Sequence, residues 1–270
     1  MENGMAERGE GTPRQQNGSD KRLRGFGVLM LCILLAAAGF WKFSPEVMSA
    51  SSRVDGKEVP ICSVERMDQR IALSFECVEE SGNTQEILEI LKQQQVEATF
   101  FVSRQWAEGF PKEVRRIFTS GHEIGSYGNG MGSMEQLSRT AYRDCLEAVG
   151  KQVRDLTGVG IELFRPPLGR YDNEILNMAR KEGYIPVCWS VDSMDWKDYG
   201  TESIVKAVCE NPKLQSGAIV RFQNDARYTA QALESVISEL KQRGFQMVPV
   251  GALIYREGFR MDDAGKQLKT

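Results

Sequence analysis

Between Ile71 and Val248, short apolar runs alternate with longer segments whose apolar residues recur at helical spacing. Strands separated by helices run parallel, and a parallel sheet must be covered on both faces. The expected fold class is therefore α/β with repeated β-then-α units. Doubly wound and barrel arrangements both satisfy the pattern. Strand signals fall at Ile71 to Phe75, Ala98 to Val102, Leu163-Phe164, Ile185 to Val191, Ala218 to Phe222 and Phe245 to Val248. Asn83-Thr84-Gln85-Glu86 has the spacing of a capping box and leads into Ile87, Leu88, Ile90 and Leu91 on one helix side. Pro111 in a first turn and Gly121 at a stop bracket a second helix. Ser138 opens the longest helix, with Tyr142, Leu146, Val149, Val153 and Leu156 at helical spacing before Gly158. Further helices begin at Asp172, Thr201 and Thr229, and stop at Gly183, before Asn211-Pro212 and before Gly244.

At 270 residues and 41% hydrophobic composition, the chain is long enough for one such domain with a large core. A formal net charge of −3 gives no broad basic face, so nucleic acid is not an expected partner. Residues 1–24 are polar and read as a disordered cytoplasmic tail. Gly25 to Trp41 is apolar and uncharged, with Lys21, Arg22 and Arg24 before it and Lys42 after. That run is at the short end of the ~17–25 residues that span a bilayer, and its flanks place the N-terminus inside. The expectation is a single-pass membrane anchor at 25–41 with the domain extracytoplasmic. The competing reading, a cleaved signal peptide, has only Met48-Ser49-Ala50 as a poor site well beyond the run. A linker at 42–60, a domain at 61–257 and a C-terminal tail at 258–270 complete the expected organisation. Five cysteines lie beyond the anchor: Cys62, Cys77, Cys145, Cys188 and Cys209. An odd number without paired spacing does not make a disulfide framework, and Cys145, Cys188 and Cys209 read as small buried thiols.

Ile71-Ala-Leu-Ser-Phe-Glu-Cys77, Ala98-Thr-Phe-Phe-Val102, Gly121-His-Glu-Ile-Gly125, Phe164-Arg-Pro-Pro-Leu-Gly169 and Trp189-Ser-Val-Asp-Ser-Met-Asp-Trp196 follow one another in that order. Together they resemble the polysaccharide deacetylase family (NodB homology, carbohydrate esterase four) across roughly residues 61 to 257. The resemblance implies a distorted, incomplete TIM-like (β/α) barrel, with its chemistry at the carboxyl ends of the strands. It also implies a divalent metal held by two imidazoles and one carboxylate, a carboxylate base and a histidine acid.

Those positions hold other residue types. Glu76 stands at the base position, one methylene longer than the family's Asp, and Cys77, Tyr127 and Met131 stand at the three metal-ligand positions. Gln223 replaces the acid histidine, and an amide does not deliver a proton near neutral pH. The chain's one histidine, His122, lies five residues ahead of the first imidazole position and reads as structural. Kept are Arg165, which in the family orients the base, Leu168 in the turn that shapes the groove, Asp192, Asp195, and Trp196 in the substrate-side wall. A replacement zinc site around Glu76, Cys77, Asp225 and Tyr127 lacks the Cys and His content such sites are built from. Cys77 has no base to activate it as a nucleophile. No metal or other cofactor is expected.

The expected function is that of a membrane-anchored, catalytically inactive deacetylase-like protein of the cell envelope, binding glycan or a protein partner. Trp196, Leu168 and Tyr127 would form the binding wall, and Glu76, Gln223, Arg165 and Asp195 the remnant of the catalytic set. The alternative is an active metal-dependent deacetylase hydrolysing N-acetyl groups of envelope polysaccharide, peptidoglycan or chitin-like.

Overall fold

The structure is a computed structural model and describes residues 52–129 and 139–270. The tail at 1–24, the apolar run at 25–41 and Met131 lie outside the described residues. Among those described, no helix is long and apolar enough to cross a membrane.

β4 (Arg70–Cys77) is the longest strand and the middle of a curled parallel sheet. On one side it pairs with β5 (Thr99–Val102), then β6 (Glu123–Ser126), β7 (Leu163–Phe164) and β8 (Ile185–Pro186). On the other it pairs with β10 (Ile219–Gln223), which pairs with β9 (Val191–Asp192). β11 (Gln246–Met247) adds a short parallel pairing at the start of β4. The helices are α1 (Thr84–Gln93), α2 (Arg104–Gly109), α3 (Pro111–Thr119), α4 (Arg139–Thr157), α5 (Asn173–Lys181), α6 (Thr201–Cys209), α7 (Thr229–Gln242) and the short α8 (Val250–Leu253).

Alternation along β4 divides the core. Ile71, Leu73, Phe75 and Cys77 meet the apolar faces of the helices in an outer cluster, where Phe75 stacks between Phe100 and Phe222. Ala72 faces inward with Phe101, Tyr127, Val187 and Ile219, while Ser74 and Glu76 share its side of the strand.

The segment Ile185 to Val191, expected as one strand, is divided. Its start pairs with β7 and its end with β10, so one stretch of chain carries the sheet back onto itself. The wedge left between these pairings is filled from the N-terminal side. Ile61 bridges Val187, Ser63 bridges Ala218, and Val64 N–H donates to Gly217 O at 2.9 Å. Gly217 has φ +84°, and a Cβ there would lie 1.7 Å from Val64 O, so only glycine admits the wedge.

Several local expectations are corrected. Asn83 does not cap α1; its side-chain amide donates to Ala226 O at 2.9 Å, spent on a tertiary contact. Helix α2, capped by Ser103, and β6, whose Glu123 is tied to Thr99 Oγ1 and Gly251 N, lie outside the elements that the apolar pattern marks. Part of the linker forms a hairpin of β1 (Arg53–Val54) and β2 (Lys57–Glu58). Residues 258–270 are not a loose tail. They form β12 (Phe259–Met261) and β13 (Lys266–Lys269), and β13 pairs with β3 (Ser63–Val64). Phe259, Met261 and the fully buried Gln267, whose amide exchanges bonds with the Tyr255 backbone, anchor this hairpin.

His122 lies at the amino ends of the strands, away from Glu76. It is buried, Nδ1 accepts from Ala98 N–H at 3.3 Å, and the ring tilts against Phe100. Burial depresses its pKa to about 4. An imidazole in the unfolded chain titrates near ~6.5, so the unfolded state binds the proton first, and stability falls as pH drops from there through the folded value. As the chain's only histidine, it should give one set of imidazole NMR signals in untagged protein, with a midpoint near pH 4. A midpoint near 6.5 would contradict the buried placement.

Candidate functional site

Glu76, one residue from the end of β4, is fully buried and faces inward. Two guanidinium groups converge on its Oε1: Arg221 Nε at 3.0 Å and Arg165 Nη1 at 3.4 Å. Arg165 follows β7 directly, and its Nη2 donates to Ser74 Oγ at 2.9 Å and Cys188 O at 3.1 Å. Arg221 sits in register between Ser74 of β4 and Asp192 of β9, and its Nη1 donates to Asp192 Oδ2 at 2.9 Å. Aromatic faces complete the packing. Phe101 lies 4.0 Å from Arg165, and Trp189 lies 4.5 Å from Arg221 and 5.5 Å from Arg165.

Two guanidiniums and two carboxylates sum to zero, as a buried cluster must. Burial holds the Glu76 carboxyl above its usual range, and the opposing pull of Arg221 and then Arg165 does not cancel it. Burial lowers Arg221, but Glu76 and Asp192 outweigh it and hold the guanidinium above its usual range. The Arg221 Nε–H is close to Glu76 but not aligned for a hydrogen bond, so this contact is an ion pair only.

The remaining predicted residues have structural work. Asp195 Oδ2 accepts from Gln223 N and Thr229 Oγ1, both at 2.7 Å, clamping the end of β10 to the start of α7. Its carboxylate is consumed there, and Gln223 reaches Asp195 through its backbone. Tyr127 is buried and its hydroxyl accepts from Leu168 N–H at 3.0 Å. Leu168 has φ 57°, a strained value for a leucine, so Tyr127 acts as a strut holding that turn. Burial and then the Glu76 charge push the phenol well above its usual range. Cys77 belongs to the outer cluster, and burial, Asp225 and Glu76 raise its thiol far from ionisation.

Trp196 is 50% exposed, and Leu168, Tyr171, Met194 and Tyr199 are exposed with it. All five lie on the loops that follow β7 and β9, at the same barrel end as Glu76. Lys197 Nζ lies 5.3 Å from the Trp196 ring.

Residues 63–187 match the profile of the family described as polysaccharide deacetylase. A peptidoglycan-N-acetylglucosamine deacetylase of Bacillus cereus is 33% identical over 190 residues, 68% of this chain and 87% of that protein. This chain belongs to the polysaccharide deacetylase family. A family-four carbohydrate esterase pseudoenzyme from Bacillus anthracis has a similar structure, with a TM-score of 0.69 and 25% identity, covering 78% of this chain and 70% of that one. A mutant of that pseudoenzyme with restored enzymatic activity also matches with a TM-score of 0.69 and 25% identity, covering 78% of this chain and 73% of its own. The curled parallel sheet with its helical cover is the fold of these esterases.

The polysaccharide deacetylase resemblance implies a divalent metal, and the donor set here does not fit one. Cys77 faces the helices, the Tyr127 oxygen is occupied by Leu168 N–H, and Glu76 is neutralised by two fixed cations. Among the described residues no three His, Cys, Asp or Glu side chains are grouped to hold an ion. What the motifs did not disclose is Arg221. Its signal was a lone cation inside the apolar run Ile219-Val220-Arg221-Phe222, where an inward-facing charge demands a buried partner.

Proposed function

We propose that this polysaccharide deacetylase is a membrane-anchored, catalytically inactive member that binds envelope glycan at the open end of its barrel. The observation that carries this reading is the double ion pair on Glu76. A general base must be reached by the water it activates, and Glu76 is fully buried with its Oε1 held by two guanidiniums. Gln223 adds no acid for the leaving amine. The exposed Trp196, with Leu168 and Tyr171 exposed on the loop after β7 at the same barrel end, supplies an apolar surface on which sugar rings can stack. The peptidoglycan deacetylase relative makes cell-wall glycan the first ligand to try, and the pseudoenzyme neighbour is a family precedent for lost activity. Anchoring through 25–41 with the domain outside rests on the apolar run and its basic flank.

The full chain should release no acetate above a no-protein control from N-acetylated peptidoglycan or chitin oligomers. It should be retained on insoluble cell-wall polymer, and Trp196→Ala should weaken retention about three- to tenfold without lowering the melting temperature. Measurable acetate release would establish the active reading instead. Absence of retention would remove glycan and leave a protein partner.

A further inference from the structure

Of the five cysteines among the described residues, Cys77, Cys145 and Cys209 are buried, while Cys62 and Cys188 are only half-buried. The last two face each other. Ile61 pairs in parallel with Val187, its N–H donating to Pro186 O at 2.9 Å, and Cys188 N–H donates to Ile61 O at 2.7 Å. The next residues in that register are Cys62 and Cys188, which project to the same side of neighbouring strands. Such strands lie about 4.7–4.9 Å apart, inside the roughly 4.4–6.8 Å Cα separation that a disulfide spans. The wedge carrying Cys62 is backed by Gly265, whose carbonyl accepts Cys62 N–H at 2.7 Å; a Cβ on Gly265 would lie 2.8 Å from Cys62 Sγ.

We propose that Cys62 and Cys188 form an intramolecular disulfide, installed by a small-molecule or protein disulfide, that staples the 61–64 wedge into the barrel opening. Cys188 is the attacking sulfur. The neighbouring Cys62 thiol holds it below the usual thiol range against the effect of burial, with the Arg165 guanidinium and Trp189 N–H helping. Cys188 thiolate attacks one sulfur of the oxidant R–S–S–R and expels RS⁻, leaving a mixed disulfide. Cys62 then loses its proton and attacks the Cys188 sulfur, expelling the second RS⁻. Two thiols lose two electrons and two protons, and the oxidant leaves as two RSH. The bond joins the point where the linker enters the barrel to the residue whose carbonyl holds Arg165, so it fixes one acceptor of the Glu76 cluster.

The test is thiol counting on the reduced full chain, which has six cysteines. After oxidised glutathione and its removal, four free thiols should remain, and peptide mapping should link 62 to 188. The melting temperature should rise by on the order of 5 °C or more and fall back on reduction. Cys62→Ser should instead keep a glutathione adduct on Cys188, because the resolving thiol is gone. Six free thiols, a bond between another pair, or a persistent adduct on the unmodified chain would overturn the proposal.

Discussion

Glu76→Gln is expected to lower the melting temperature by about 10 °C. The substitution keeps the side-chain shape and removes the charge, leaving Arg165 and Arg221 buried side by side with only the half-buried Asp192 to balance them. Breaking a buried ion pair from one side costs roughly 3–5 kcal/mol, and each kcal/mol is worth about 2–4 °C in a domain of this size. Adding Arg221→Leu should recover part of the loss, since one of the two uncompensated guanidiniums is removed while Arg165 stays buried without its carboxylate. Thermal melts of the four proteins form a double-mutant cycle with a coupling of about 1–3 kcal/mol. A carboxylate kept free for catalysis behaves in the opposite way: removing it is commonly neutral or stabilising. If Glu76→Gln melts at or above the parent temperature, Glu76 is not the centre of a structural ion cluster.

Rebuilding the family's residues in one chain is expected to fail at metal binding while Arg221 remains. The combination is Glu76→Asp, Cys77→Asp, Tyr127→His, Met131→His and Gln223→His. Arg221 Nε lies 3.0 Å from the Glu76 carboxylate, so a dication held beside that group would sit within about 5 Å of a guanidinium. Two charges against one at that distance repel by about 7 kcal/mol at an effective dielectric of ~20, a loss of roughly five orders of magnitude in affinity. With Arg221→Leu added, zinc retained through gel filtration, read by elemental analysis, should rise clearly above that of the variant that keeps Arg221. Stoichiometric zinc in the variant that keeps Arg221 would show that this cation does not exclude the metal. The restored mutant of the Bacillus anthracis pseudoenzyme shows that activity can be rebuilt on a related chain.

The sequence by itself determined what depends on neighbours within a turn or two. Apolar periodicity marked β4, β5, β10 and most helices. Asp172 capped α5 through Ile175 N–H, and Pro111 opened α3, because a cap or a proline acts on the backbone beside it. Motif order was enough to point to the family, and the apolar run at 25–41 is still known only from sequence. Tertiary structure decided everything that depends on register between distant strands. Arg165 reaches Glu76 across 89 positions. The split of Ile185 to Val191 follows from which edge each half meets, and Asn83 gave up its cap for Ala226 O. Cysteine spacing offered no pair, yet the wedge brings Cys62 opposite Cys188. Local composition encodes which faces are apolar. Only closure of the curled sheet decides which buried charges and thiols find each other, since those contacts have no local signature and form only after distant segments meet.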